Sequence, residues 1–510
     1  MSGWRPDITA AVASIVVLVV VIAVVAINSV GLKPGNAAQP ILPSGQASAP
    51  GPGGSVRDFE LTAAPTILAL KPGFEIPVWA YNGSVPGPEL RVTTGDLVRV
   101  TFHNQLPVAT TIHWHGVPLP NGQDGVPGVT QDPVPAGSTV TYAFVAPRAG
   151  TYWYHPHQNA AEQLDRGLYG VLVVESRNAP TQGVVDQSLV YDEWPFGTLQ
   201  PSAPPGDDAS MTRYGIYSVN GRTGPAIEPV RFNPGDLVLL RLVNVGYLTH
   251  YLHIHGAPIT ITGFDGTEVT GGAPTEGVLT LAAGERLEIE FKAPNAVVWI
   301  QSHDPTLPAK AIPVVVLPAG AQVPAILPGA NDSISGQVLD LYAYGASASD
   351  SPWPSGATPT KSFTVKLAEL MGHSRSDSEA MAGMSGMQTA FGINGKQFPD
   401  TGSLDVGLGD RIQVTFVNDG KYEHPMHLHG QSFQVLARDG QPLAGVLVKD
   451  TVDVLPGQSI TIGFVAGNPG WWMLHCHELH HAAGGMDILV GYQGAARLAN
   501  LGSPFGASPA

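Results

Sequence analysis

The residues best equipped for chemistry lie near the C-terminus, where Cys476, the only cysteine, stands between His475 and His477 and is followed by His481 and Met486. Trp471 to Leu474 read as a strand. Side chains alternate between faces along a strand, so His475 and His477 point one way and Cys476 the other. One thiolate, an imidazole a few residues on, a weak thioether after it and a second imidazole from elsewhere form the ligand set of a blue-copper centre. The two outward histidines then serve a different metal site. A lone cysteine is otherwise a buried small hydrophobe or a nucleophile, and histidines on both sides demote both readings.

Partners for the outward pair come from three further His-x-His elements: His113-Trp114-His115, His155-Pro156-His157 and His427-Leu428-His429. His424, three residues before His427, is free to complete the thiolate site. With these four elements in this order, the His-Pro-x-His-x-His-Gly form at His424 to Gly430 and the His-Cys-His-x-x-x-His form at His475 to His481 with Gly485-Met486 beyond it, the chain resembles the multicopper oxidases. The resemblance implies four copper ions. It assigns His424, Cys476, His481 and Met486 to a type 1 copper, His113 and His427 to a type 2 copper, and His115, His155, His157, His429, His475 and His477 to a type 3 pair. It also implies that single electrons collected at the type 1 site reach the cluster through Cys476, whose peptide joins His475 and His477, and that O2 is reduced there to water.

Asp124 occupies the loop position where members of that family carry an acid beside the cluster, a candidate for proton delivery; an Asp before Gly is otherwise ordinary turn chemistry. Many relatives carry a second acid directly after the second type 1 histidine, where this chain has Ala482. Met486 as axial ligand implies a lower type 1 potential than a non-coordinating residue would give, which favours easily oxidised donors.

The elements that must position these residues appear as an internal repeat. Gly95-Asp96-Leu97 to Asn104 recurs as Gly235-Asp236-Leu237 to Asn244 and as Gly409-Asp410-Arg411 to Asn418, each a turn followed by an alternating strand. Nine residues beyond each Asn stands a His-x-His-Gly, at His113, His253 and His427. Three copies of one strand-rich unit predict an all-β chain of three β-sandwich domains, which the resemblance names as cupredoxin-like. The expected boundaries are 57–178, 179–320 and 361–496, with linkers at 34–56 and 321–360. Aligning the repeats sets Pro156 and Ser302 opposite Cys476, so only the third domain offers the thiolate. His250, His253, His255 and His303 of the second domain then read as hydrogen-bonded interior or interface histidines, and that domain as a spacer without copper.

At 510 residues the chain is long enough for about three domains. Its net charge of −16 argues against a nucleic-acid partner, and 61 glycines with 46 prolines fit many turns between strands. The uncharged run from Ile8 to Leu32 is long enough to cross a bilayer, and residues 1–33 read as a membrane anchor or uncleaved signal. A secreted protein with a cleaved signal peptide is the alternative. Either way the catalytic part is expected outside the cytoplasm, with 34–56 as a solvated tether.

Four of the nine methionines, Met371, Met381, Met384 and Met387, fall in a Gly- and Ser-rich insertion at 371–387. Thioethers select Cu(I), so these residues, with Glu423 beside His424, form a candidate cuprous-ion site. The whole then resembles the cuprous oxidases of bacterial copper tolerance, although those relatives place a methionine just before the first type 1 histidine, where Glu423 stands here. Two alternatives stay open: a laccase acting on phenols or aromatic amines, and a copper-storage or electron-carrier protein without turnover.

Overall fold

The Gly-Asp pair that opens each repeat is a turn with a built-in cap. Gly95, Gly235 and Gly409 adopt φ of +87°, +94° and +84°, a region open to glycine at little cost. The following aspartates accept from the backbone N–H three residues upstream, at Thr93, Asn233 and Gly407, at 2.7–3.0 Å. The strand that follows alternates as expected: in Arg411–Asn418, Ile412, Val414, Phe416 and Asn418 are buried and the residues between them are half-buried.

Each strand ends on a buried asparagine that holds the loop leading to the histidines. Asn418 Nδ2 donates to the carbonyls of Tyr422 and Val454, both at 2.7 Å, and its Oδ1 accepts from Gly420 N. Asn104 makes the same three bonds with Val108, Val134 and Leu106, and Asn244 with Leu248, Leu281 and Gly246. The constant nine-residue interval between Asn and His is thus a clamped turn.

The computed structural model describes residues 44–195, 214–303, 313–325, 338–344, 347–348, 350–370 and 390–496. Among them the strands form six sheets in three pairs. The first pair has two four-stranded sheets, drawn from Val56 to Glu175; the second has seven and five strands; the third, from Lys361 to Tyr492, has six and five. Among the described residues only short helices, at Ala160–Asp165 and Leu479–Ala483, and single 3-10 turns interrupt the strands. No helix among the described residues is long and apolar enough to cross a membrane, and the expected anchor lies outside them.

Strand register places the repeats on one another. His424–Leu428 pairs with Trp471–Cys476 so that Met426 faces Cys476 and His427 faces His475. In the second pair of sheets Leu252 faces Ser302 and His253 faces Gln301. In the first, His113 faces His155, which carries Pro156 to the place of Cys476.

Two segments read as linkers are docked. Where a solvated tether is expected, residues 44–55 lie on the first pair of sheets: Ala47 N donates to Ala143 O, Gly51 N to Gly95 O, and Ser44 O accepts from Gln123 Nε2. Ser347–Ala348 adds an edge strand to the second pair, and Asp340 pairs with Arg438. Small polar residues carry no signal for such backbone docking.

Candidate metal centre

Cys476 is fully buried at the end of its strand, and its Sγ lies 3.7 Å from both His424 Nδ1 and His481 Nδ1. His424 comes from the neighbouring strand and His481 from the helix Leu479–Ala483. Glu478 caps that helix, accepting from His481 N at 2.7 Å, with its other oxygen 2.7 Å from His480 Nδ1. Burial alone would raise the Glu478 carboxyl, but His481 and His480 hold it down to about 2. Met486 is buried, and its backbone ties it to both ligands: its carbonyl accepts from Cys476 N and its N–H donates to His481 O, both at 3.1 Å.

The eight paired histidines gather where the first and third pairs of sheets meet, and all are buried. Their potential donor atoms form overlapping groups: His113, His115 and His427; His115, His155 and His477; His157, His429 and His475; and His113 and His429 with Asp124. Within each group these atoms lie within 4.8 Å of one another.

Hydrogen bonds set the tautomers. A carbonyl only accepts, so the Nδ1 atoms of His113, His155, His427 and His475, at 2.8–3.0 Å from the carbonyls of Asp124, Pro156, Asp450 and Cys476, carry their protons and leave Nε2 bare. His429 Nδ1 donates to Asp124 Oδ2 at 3.0 Å, which bares its Nε2 as well. That Nε2 then faces the Nε2 of His475 at 3.0 Å, lone pair against lone pair. The Nε2 atoms of His113, His155 and His427, Nδ1 of His115 and both nitrogens of His477 are buried without hydrogen-bond partners. Buried ring nitrogens without partners are costly, and the bare acceptor on each ring is what a cation would satisfy.

Burial also lowers the pKa of His115, His155, His157, His424, His427, His429, His475 and His477, which keeps them neutral as metal ligands must be. The residues present therefore fit copper: soft thiolate and imidazole at one site, imidazole alone at the other.

Two family profiles, both described as multicopper oxidase, match residues 66–179 and, in two pieces, 200–302 and 369–491. Multicopper oxidase MmcO of Mycobacterium tuberculosis is 30% identical over 453 residues, covering 81% of this chain and 82% of that protein. The chain belongs to the multicopper oxidase family. It is an oxidoreductase that uses O2, built from cupredoxin-like β-domains. Copper resistance protein A of Escherichia coli is 24% identical over 84% of this chain and 91% of its own length. A multicopper oxidase structure from Pseudomonas thermotolerans superposes with a TM-score of 0.68 at 28% identity, covering 86% of this chain and all of that one.

Asp124 is no mere turn residue in this oxidase. It is buried, with Oδ1 3.2 Å from His113 Nδ1 and Oδ2 on His429, so that it bridges histidines of the first and third domains. Glu423 accepts from Thr249 Oγ1 at 2.6 Å, and burial raises its carboxyl. Met371, Met381, Met384 and Met387 lie outside the described residues. In the second domain His250 stands 3.0 Å from Ser302 Oγ and 2.6 Å from Glu193 Oε1, held by protein groups at the place His424 has in the third.

The spacer reading of the second domain needs correction. Its Arg286 reaches Asp450, whose carbonyl receives His427 Nδ1, and a Cβ on its Gly284 would lie 2.7 Å from the His477 ring. Arg286, Asp450 and Glu478 escaped sequence reading because no local pattern marks them.

Proposed function

We propose that this multicopper oxidase takes Cu(I) as its electron donor, in copper detoxification outside the cytoplasm, anchored to a membrane through residues 1–33. Three cupredoxin domains at 57–178, 179–320 and 361–496 carry the reaction. His424, Cys476, His481 and Met486 hold a type 1 copper; His113 and His427 a type 2 copper; His115, His155, His157, His429, His475 and His477 a type 3 pair. When bound, the coppers supply one-electron storage, which lets four single oxidations be matched to the reduction of one O2 to two waters.

The chain's own contribution is connection and placement. Cys476 lies between His475 and His477, so the path from one site to the other is a few covalent bonds, supplemented by the 2.9 Å bond from His475 Nδ1 to Cys476 O. Asp124, seated on His113 and His429, is the acid we assign to holding and passing protons beside the cluster.

One observation carries the choice of Cu(I). The methionine-bearing stretch departs from Leu370 and returns at Ala390, which pair across two strands, and the next residue, Phe391, lies against the His481 ring with centroids 3.9 Å apart. Both described ends of the methionine-bearing stretch therefore belong to the strand pair that carries Phe391 to His481, and thioethers bind Cu(I). The similarity to copper resistance protein A of Escherichia coli points the same way.

The test is oxygen uptake by the copper-loaded protein with Cu(I) and with a phenol, for wild type and for the Met381, Met384, Met387→Ser triple variant. Cu(I)-driven uptake should fall at least about tenfold in the variant while phenol oxidation persists, a difference of about 1.4 kcal/mol or more in barrier. Equal behaviour of the two proteins, with phenol preferred, would establish a laccase; no uptake with either donor would leave a copper carrier.

A further inference from the structure

Arg286 begins the strand Arg286–Lys292 of the second domain and is fully buried. Its guanidinium grips both oxygens of Asp450, Nη1 to Oδ1 at 2.8 Å and Nη2 to Oδ2 at 2.6 Å, the fork geometry that makes such pairs strong and directional. Two further donors, Nε and Nη1, go to Thr151 O in the first domain and to Gly284 O, both at 3.1 Å. Asp265, from the same domain, accepts from Arg286 N at 2.9 Å and stands 3.0 Å from Lys449 Nζ.

Asp450 faces the cluster with everything Arg286 leaves it. Its Oδ1 lies 3.3 Å from His115 Nε2 and accepts from Thr451 Oγ1 at 2.9 Å; its carbonyl receives His427 Nδ1 at 2.9 Å. Thr451 Oγ1 completes the set, 3.2 Å from His115 Nε2 and 3.1 Å from His427 Nδ1. The two imidazoles are stacked, with centroids 3.7 Å apart and planes at 14°. A carboxylate is an acceptor, so the proton of His115 belongs on Nε2 and the partnerless Nδ1 becomes its donor atom, the reverse of His113, His155, His427 and His475.

Space for the pair is built into the first domain. Gly116, directly after His115, has φ +80°, and a Cβ there would come within 2.3 Å of Arg286 Nη2 and 2.4 Å of Asp450 Oδ2. The glycine of the His-x-His-Gly element is thus required both for the turn and for the ion pair.

We propose that Arg286 is a positioning residue for the histidine cluster: by fixing both oxygens of Asp450 it sets the ring orientation and tautomer of His115 and the seat of His427. The second domain thereby sets the geometry of a site to which, among the described residues, it contributes no histidine. The inference rests on the reading that the cluster holds type 2 and type 3 copper.

Copper-loaded wild type, Arg286→Lys and Asp450→Asn are compared by copper content per chain, blue absorbance and the electron paramagnetic resonance signal of type 2 copper. Lysine keeps the charge but loses the fork, and asparagine keeps the shape but loses the charge. Both variants should keep the full blue band, which reports a folded third domain and an intact Cys476 site, while the type 2 hyperfine splitting shifts or its signal is lost with copper. Variants that keep full copper and the wild-type type 2 spectrum would overturn the proposal; where Arg286→Lys does not fold, the isosteric Asp450→Asn decides. A wild-type protein that is blue but shows no type 2 signal would instead sink the copper reading of the cluster.

Discussion

Cys476 joins the two candidate metal sites in sequence, grouped with His424 and His481 and flanked by His475 and His477 of the cluster, and its environment would make copper uptake a proton exchange. Burial, helped by the Glu478 carboxylate, pushes the thiol well above its ordinary pKa, so the metal-free chain holds it protonated at neutral pH. Burial lowers His424, which stays neutral there. Binding copper to the thiolate must therefore release one proton, and the apparent affinity of this site should rise about tenfold per pH unit until the raised thiol pKa is passed. Copper titrations followed by the blue band at three pH values between about 5.5 and 7.5 measure the slope. A flat series would mean that the thiol is not deprotonated on binding. Cys476→Ser should lose the blue band and oxygen uptake together.

At the scale of elements, the recurring device is the strand that ends on a buried asparagine. Asn418 serves Tyr422 O, Val454 O and Gly420 N at once, and the loop it holds runs directly into His424. Asn418→Leu has similar volume but leaves two carbonyls and one N–H unpaired, at about 1–3 kcal/mol each. Chemical denaturation should show a loss of several kcal/mol. Since His424 is displaced with its loop, the blue band of the folded fraction should weaken as well; a variant with wild-type stability and colour would show that the clamp is dispensable.

Across the whole molecule, the eight clustered histidines come from two domains, four from the first and four from the third, with Asp124 joining them. Copper binding and domain docking are then one equilibrium, and a ligand that binds only the docked state stabilises it by RT ln(1 + [L]/Kd), about 2.7 kcal/mol at a hundredfold excess over Kd. Removing copper with a chelator should lower the thermal midpoint and broaden or split the transition as the domains uncouple. Calorimetry of loaded and stripped protein checks this, and identical traces would mean that docking owes nothing to the metal. The second domain enters the same equilibrium through Arg286, which touches groups of the other two.

The side chains that cluster were legible in the sequence because their placement is local. Two-residue alternation on a strand puts His475 and His477 on the face opposite Cys476, and the Gly-Asp turn with its terminal Asn repeats at a constant distance from each His-x-His-Gly. Those patterns specify three sandwiches, a thiolate site in one of them and a histidine cluster that the first and third must share. What only the tertiary structure decided are the groups that choose among tautomers and hold the rings. Asp450 meets His115 across 335 positions and Arg286 across 164, and no periodicity links residues so far apart. The docking of residues 44–55 belongs with them, since backbone amides of any composition can pair once a sheet is there to receive them. Short-range sterics and strand periodicity write the donor list, whereas the second set of contacts, which turns those donors into an oriented site, exists only where three domains close on one another.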